Sequence, residues 1–445
     1  MLKVNLNPSR LAVGQRSIHY AWAIVVVAAA MRLSASAVRT SFSILVPRFV
    51  ETFGWSYGAV GIALSLQWLV SGLFGPGAGW LGDRYGIRRT MLFGAVVFTA
   101  AMVLTSQVTH IWQFYLFYGV LLSVSLAIFQ VPLTAAVTMW FHRHLGVGMG
   151  ILQASQGLGA LVFVPLVLFI IHVFGGGENG LRAAFWVTGI GGGVALAILV
   201  RLFYNEPADI GLRPLGASED EPIRRVARGR TAQIRTKVFL KLAQRTNTFW
   251  NLIGIHFWGC AGHAIILAFL PSIIEDRGLG RSLAASTFIV LSVMSTITRF
   301  GVPVLADRIG SKGVMAACFI LQSAPMILLF FAYEPWMFYL FAVLFGIGFG
   351  GEMTAFPIIN RQYYGSAPIG TAYGWQMMGS GVGMALGAGI GGFLRNWTGN
   401  FDATILVSLT LSLIGVVAIL LLPTTSHHLL PDWEEALPQE ARSAG

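Results

Sequence analysis

Twelve apolar runs, each near the length that crosses about 30 Å of hydrocarbon, leave this 445-residue chain little choice of fold. They lie near 19–47, 57–80, 88–107, 111–139, 146–173, 182–204, 249–273, 283–305, 314–333, 336–360, 368–394 and 402–422. Charged residues make up 11% of the chain and its mean hydropathy is +0.72. Soluble domains carry about 25% charged residues, so the composition suits lipid. A membrane β-barrel is excluded, because its strands alternate apolar and polar residues in segments of about ten. The expectation is an all-α membrane protein of twelve transmembrane helices.

The formal charge of +11 invites a nucleic-acid partner, and the distribution of that charge argues against one. With the N-terminus placed inside, 21 of the 29 Lys and Arg fall on the inner side, nine of them between residues 205 and 247. Five face outward (Arg48, Arg182, Arg277, Arg281 and Arg395), and three, Arg32, Arg39 and Arg299, lie within spans. This is the positive-inside bias, which sets orientation. The expectation is a multi-pass protein of the cell (inner or plasma) membrane with both termini cytoplasmic and no nucleic-acid partner. The basic N-terminus and Ala35-x-Ala37 resemble a secretory leader, but Arg32 interrupts the run, and an uncleaved first helix is expected. Cys260 and Cys318 both sit in apolar runs, with no disulfide framework and no metal spacing.

One polar stretch divides the spans six and six. The chain reads as an N-tail (1–18), a six-helix bundle (19–204), a flexible linker (205–247), a second six-helix bundle (248–422) and a polar, mobile C-tail (423–445). The halves are related by a shift of 224 residues. It carries Leu81, Asp83, Arg84, Gly86 and Arg88 onto Leu305, Asp307, Arg308, Gly310 and Lys312, and Gly146, Gly150, Gly157 and Gly159 onto Gly370, Gly374, Gly381 and Gly383. Two pseudo-symmetric bundles around a central site are a recurrent transporter plan.

Breaks in the repeat point to chemistry. Arg299 corresponds to Gly75, so its charge stands in one half only, about eight residues (roughly 12 Å) from the charged turn that ends its helix. A charge at that depth commonly faces a protein-lined pathway, although snorkelling to the headgroups is the plainer account. Arg32 and Arg39 map onto His256 and His263, each pair seven residues apart on one helix face. Glu352 is the acidic residue placed inside an apolar span, at a depth comparable with Arg299. Burial raises a carboxyl pKa and a nearby cation lowers it, so a Glu poised by Arg299 can exchange a proton; a structural Glu–Arg bond is the alternative. Gln376 and Tyr118 are candidate hydrogen-bond donors to a substrate, or interhelical glue. Asp83 and Asp307 can pair with the basic residues beside them (Arg84, Arg88, Arg308 and Lys312) or with a neighbouring helix N-terminus, forming a gate. No phosphate loop, metal cluster or nucleophile–base pair stands out, which argues against an enzyme and against any cofactor.

Gly79-Trp80-Leu81-Gly82-Asp83-Arg84-Tyr85-Gly86-Ile87-Arg88-Arg89 is similar to the loop 2–3 motif of the major facilitator superfamily, and Pro303 to Lys312 resembles its loop 8–9 counterpart. The second copy departs at Pro303, where the motif has Gly. Tyr20-Ala21-Trp22, Phe53-Gly54-Trp55-Ser56 and Trp140-Phe141-His142-Arg143 resemble the monocarboxylate porter and oxalate–formate antiporter group. That resemblance implies a carboxylate-binding arginine in helix 8, matched by Arg299, and a helix-1 cation, matched by Arg39. The group's acid one turn before the helix-8 arginine is Ser295 here, and its helix-11 lysine is absent, leaving Gln376 among the few polar side chains of that helix. The expectation is a secondary transporter of small organic anions, monocarboxylates foremost, working by alternating access as a monomer. Arg299, with Arg39, Arg32, His263, Gln376 and Tyr118, would hold the substrate, and Glu352 with His263 would handle a coupled proton. An exporter of drugs or neutral solutes is the rival within transport, and a non-transporting sensor is the rival outside it.

Overall fold

A computed structural model describes residues 11–13, 16–40, 42–220, 222–223, 225, 227, 229–352, 354–365 and 367–442. Among these residues eleven helices are long and apolar enough to cross a membrane, and a bent pair, taken as one span, supplies the twelfth. Before the linker come α1 (Ala21–Thr40, prolonged by a helix at Phe42–Phe53), α2 (Tyr57–Leu73 with Gly75–Tyr85), α3 (Ile87–Ser106), α4 (Ile111–Trp140), α5 (Leu145–Val173) and α6 (Gly177–Arg201). After it come α7 (Asn247–Asp276), α8 (Arg281–Ile309), α9 (Ser311–Phe331), α10 (Pro335–Glu352, resumed at Phe356–Tyr364), α11 (Gly370–Thr398) and α12 (Asp402–Leu420). The span expected at 57–80 reaches Tyr85, and it bends by 45° at Phe74. The reason is local. Pro76, in the first turn of the second piece, cannot donate to the carbonyl four residues back.

The two halves meet along two seams, α2 against α11 and α5 against α8. Both seams run to the end of the bundle that carries the linker, here called the linker side. There Tyr20 Oη donates to the Leu202 carbonyl, and His19 is hydrogen-bonded to the Arg213 carbonyl, tying the start of α1 to the start of the linker.

The linker and C-tail differ from their expected flexibility. Residues 229–243 form a helix, the linker helix (Gly229–Ala243), which buries Ala232, Thr236, Phe239 and Ala243. Those positions share one face at helical spacing, and basic residues crowd the other. Two short turns of the tail, Trp433–Ala436 and Gln439–Arg442, pack onto this helix. At the other end of the chain, Leu11–Val13 pairs antiparallel with Arg16–Ile18.

Candidate functional site

On the linker side the two aspartates of the repeat take helix N-termini rather than the arginines beside them. Asp83 Oδ2 accepts the Thr371 backbone N–H at 2.9 Å and the Thr371 hydroxyl at 2.6 Å, at the start of α11. Asp307 Oδ2 accepts the Gly146 N–H at 2.9 Å, at the start of α5. Each carboxylate fills an orphan donor at the positive end of a helix from the opposite half. The 224-residue shift turns one aspartate into the other and brings the capped N–H groups to within one residue of correspondence, Gly146 mapping onto Gly370 beside Thr371. The basic neighbours are engaged elsewhere: Arg84 lies over the rings of Trp80 and Tyr85, Arg88 donates to the Arg201 carbonyl, and Lys312 donates to the Leu422 carbonyl. Arg308, the remaining gate candidate, is exposed.

The seams that these caps close are glycine-lined for a steric reason. Gly72 faces Gly381, Gly75 faces Gly374, and Gly79 faces Gly370. A methyl on Gly72 would sit 2.7 Å from the Gly381 Cα, with only backbone to yield. In the other seam Thr296 faces Gly157, Phe300 faces Gly150, and Pro303 faces Gly146. Where the repeat keeps glycine on both helices in the first seam, the second keeps it on α5 alone, and Pro303 packs against the bare Gly146 backbone.

At membrane depth the candidate residues sort into three groups. Arg32, 4% exposed, donates to Thr134 Oγ1 at 3.2 Å and Gln156 Oε1 at 3.4 Å, within its own half. Arg299 donates to Ser295 Oγ at 3.3 Å and lies 5.3 Å from the Phe349 ring centroid. The two guanidiniums come one from each half. Among the described residues neither guanidinium has a carboxylate within salt-bridge distance. Arg299 is thus held against Ser295 of its own helix and Phe349 of α10, both in its own half.

Arg39 belongs to a separate network in the first half. It bonds to Gln67 Oε1, the Gln67 carbonyl and Ser71 Oγ, and sits 4.3 Å from the centre of the Trp68 ring. Gln67 in turn donates to the Tyr118 carbonyl, and Tyr118 Oη donates to the Val38 carbonyl. Gln376 is likewise engaged, in a reciprocal amide pair with Asn360 at 2.8 and 2.9 Å that clips α11 to α10.

The third group is a buried pair. His263 Nδ1 and Glu352 Oε2 are 2.7 Å apart, with both side chains no more than 1% exposed, and His263 Nε2 lies 3.0 Å from Met384 Sδ. Glu352 Oε1 has no hydrogen-bond partner. The bond that was open between Glu352 and Arg299 is thus made to His263 instead. Cys260 brings a third metal-ligating atom within 4.8 Å of these two. Ligands at about 2.1 Å from a tetrahedral zinc stand well over 3 Å apart, so 2.7 Å is the spacing of a proton-bridged pair. His256, the other histidine of this face, is fully buried against Phe356 with neither ring nitrogen bonded. Phe349 escaped the sequence reading. Its ring is 4.8 Å from His263 and 5.3 Å from Arg299, between the cation and the pair. One apolar residue in an apolar helix gives no signal of such a place.

A family model described as "Major Facilitator Superfamily" matches residues 28–313 and 302–442. The chain belongs to this superfamily. Its relatives include the oxalate:formate antiporter of Oxalobacter formigenes, 24% identical over 408 residues, 90% of this chain and 91% of that one. Monocarboxylate transporter 13 of Bos taurus is 24% identical over 409 residues, 91% of this chain and 89% of that one. Among solved structures, the proton:xylose symporter XylE superposes with a TM-score of 0.75 at 13% identity, covering 94% of this chain and 99% of its own. FucP in the outward conformation gives 0.67 at 15%, covering 89% and 97%. These two establish the twelve-helix major facilitator fold of a multi-pass membrane protein.

Proposed function

We propose that this superfamily member is a secondary active transporter of small organic anions, monocarboxylates foremost, coupled to protons. The observation that carries the reading is the pair Arg32 and Arg299: two cations at membrane depth, one per bundle, with no carboxylate partner among the described residues. Leaving a buried charge uncompensated costs several kcal/mol. A substrate carboxylate supplies the missing counter-charge and, by pairing with a cation from each half, bridges the bundles in the same step. The curated relatives that carry oxalate, formate or monocarboxylates in their names agree with that chemistry.

The proton belongs to the His263–Glu352 pair. With Nε2–H pointing at Met384 Sδ, the Nδ1–Oε2 axis holds one proton in either form, carboxyl with imidazole or carboxylate with imidazolium. Glu352 is the acid nearest to Arg299's field, so the proton on this axis and the anion at Arg299 oppose each other's charge across the Phe349 ring. Loading one favours loading the other. Alternating access then follows from the paired seams: separation at the Asp83 and Asp307 caps opens the linker side, which the distribution of Lys and Arg assigns to the cytoplasm of the cell membrane.

The test is uptake of labelled oxalate, formate and lactate into proteoliposomes. Arg299→Ala should lower flux by at least about 30-fold, the ~2 kcal/mol that truncating one side of a buried charge pair costs. Arg299→Lys should keep part of it, because the charge remains without the fork. Unchanged flux in Arg299→Ala, or no competition by a panel of carboxylates in wild type, removes the anion assignment and favours a neutral solute.

A further inference from the structure

On the linker side a cavity of about 1350 Å³ opens beneath the closed seams. Its walls come from every part of the molecule: the α2–α3 turn, the end of α4, the α10–α11 turn, the linker helix and the C-tail. Seven arginines line it against four carboxylates. Three of those carboxylates are already spent, Asp83 and Asp307 on helix N-termini and Glu434 on Arg235. The fourth, Glu206, is buried and already engaged. Arg84, Arg88, Arg361 and Arg442, by contrast, have no carboxylate partner among the described residues. Arg84 rests on two rings, Arg88 and Arg361 bond to the Arg201 and Gly365 carbonyls, and Arg442 bonds to the Leu437 and Glu435 carbonyls. Each guanidinium has five N–H donors, so backbone anchoring holds it in place and leaves donors unused.

We infer that this cavity is a binding site for a phosphate-bearing anion, distinct from the transported solute, that holds the linker side closed. Several guanidiniums held in place along the wall of one cavity are the chemistry of phosphate recognition, where the planar fork pairs two oxygens at once. The volume exceeds the upper end of ordinary small-ligand pockets, about 1,000 Å³, and is generous for a lone carboxylate. Two sources share the chemistry: a soluble phosphate compound, and the headgroup of an anionic lipid, which basic pockets at this face of membrane proteins bind. Because Arg84 and Arg88 belong to the first half, Arg361 to the second and Arg442 to the tail, one ligand spans all three. It stabilises the arrangement in which they line one cavity. The inference does not depend on which solute crosses the membrane.

The experiment uses full-length protein and its melting temperature. The probes are pyrophosphate added to detergent-solubilised protein, and vesicles of phosphatidylcholine with or without 30% phosphatidylglycerol. The comparison variant is Arg361→Gln with Arg442→Gln, neither of which touches the Arg32–Arg299 region. For a soluble ligand, pyrophosphate raises wild-type Tm by several degrees and the double variant loses at least half of the shift. For a lipid ligand, phosphatidylglycerol gives the shift, pyrophosphate does not, and the variant again loses it. The proposal is overturned if neither probe shifts wild type, if the variant keeps the full shift, or if sodium chloride at matched ionic strength reproduces it. It is also overturned if lactate or oxalate shifts Tm equally, for the cavity is then the vestibule of the cargo. Because the readout is binding, a loss of the anion-transport reading would leave this result standing.

Discussion

Glu352 and His263 sit 89 positions apart in the chain and share one hydrogen bond in the fold. Glu352→Gln keeps the size and hydrogen-bonding reach of the side chain but cannot hold the exchangeable proton. Exchange of labelled anion across a proteoliposome, which needs only the loaded carrier to reorient, should persist within about threefold. Accumulation driven by an imposed pH gradient should fall to background, a loss of more than about tenfold if this is the general acid–base group of the cycle. Accumulation by Glu352→Gln equal to wild type would reassign the proton elsewhere. Cys260→Ser should change neither measurement, because the thiol adds no bridge to the proton axis. Arg299 and Glu352 stand out in the sequence by themselves, as ionisable residues inside apolar runs. Their partners do not. Which of Arg299 and His263 receives the carboxylate depends on how α7, α8 and α10 are rotated about their axes, and apolar helices with polar residues on more than one side do not declare that rotation.

The seams between the halves are marked by glycine and aspartate, and here the sequence was far more informative. One shift of 224 residues carries Asp83 to Asp307 and Gly146 to Gly370, and the structure uses the pairs crosswise, each aspartate reaching a helix start in the opposite half. What the pattern left open was the aspartates' partner, because backbone N–H groups are present at every helix start and carry no sequence signature. Removing a capping acceptor costs about 1 kcal/mol, and the two caps are remote enough to add. Asp83→Ala with Asp307→Ala should therefore shift the ratio of linker-side-open to closed protein by about 30-fold, equivalent to ~2 kcal/mol. Spin labels at Tyr85→Cys and Ile309→Cys, exposed helix ends in opposite halves, read this as growth of a longer-distance population once Cys260 and Cys318 are replaced by serine. Each single variant should move it by roughly the square root of that factor. A distance distribution unchanged in the double variant would mean that the glycine seams close the protein without the caps. Gly374→Ala probes those seams from the other direction. Its methyl would press on the Gly75–Pro76 backbone, and overpacking of this kind costs about 1–3 kcal/mol.

At the scale of the whole molecule, twelve spans and a six-plus-six division followed from hydropathy, since bilayer thickness dictates helix length whatever the helices pack against. The parts that lie outside the bilayer obey no such constraint, and there the expectation of a flexible linker and tail gave way. Phe239 of the linker helix meets Trp433 of the tail edge-on at 5.5 Å and Tyr364 of α10 at 5.3 Å. Arg235 lies 5.0 Å over the Trp433 ring, pairs with Glu434 and donates to the Ala441 carbonyl at 3.2 Å. A contact between residues nearly 200 apart leaves no local trace, and Trp433, alone in a polar stretch, looks like any surface aromatic. Its near-complete burial shows otherwise: a 7% exposed tryptophan anchors the tail, and the tail covers the linker helix. Truncating a buried tryptophan costs about 3–5 kcal/mol in a core, and less at an edge where the tail can resettle. Even 1.4 kcal/mol multiplies the undocked population by about ten. Trp433→Ala should accordingly speed tryptic cleavage between Arg225 and Arg245 about tenfold or more, while anion exchange continues because neither seam is touched. Equal cleavage rates in variant and wild type would mean that α2, α10 and α11 hold the linker helix without the tail. If exchange stopped together with the faster cleavage, the linker helix would be acting on the seams themselves, and the closed linker side would depend on the tail as much as on the aspartate caps.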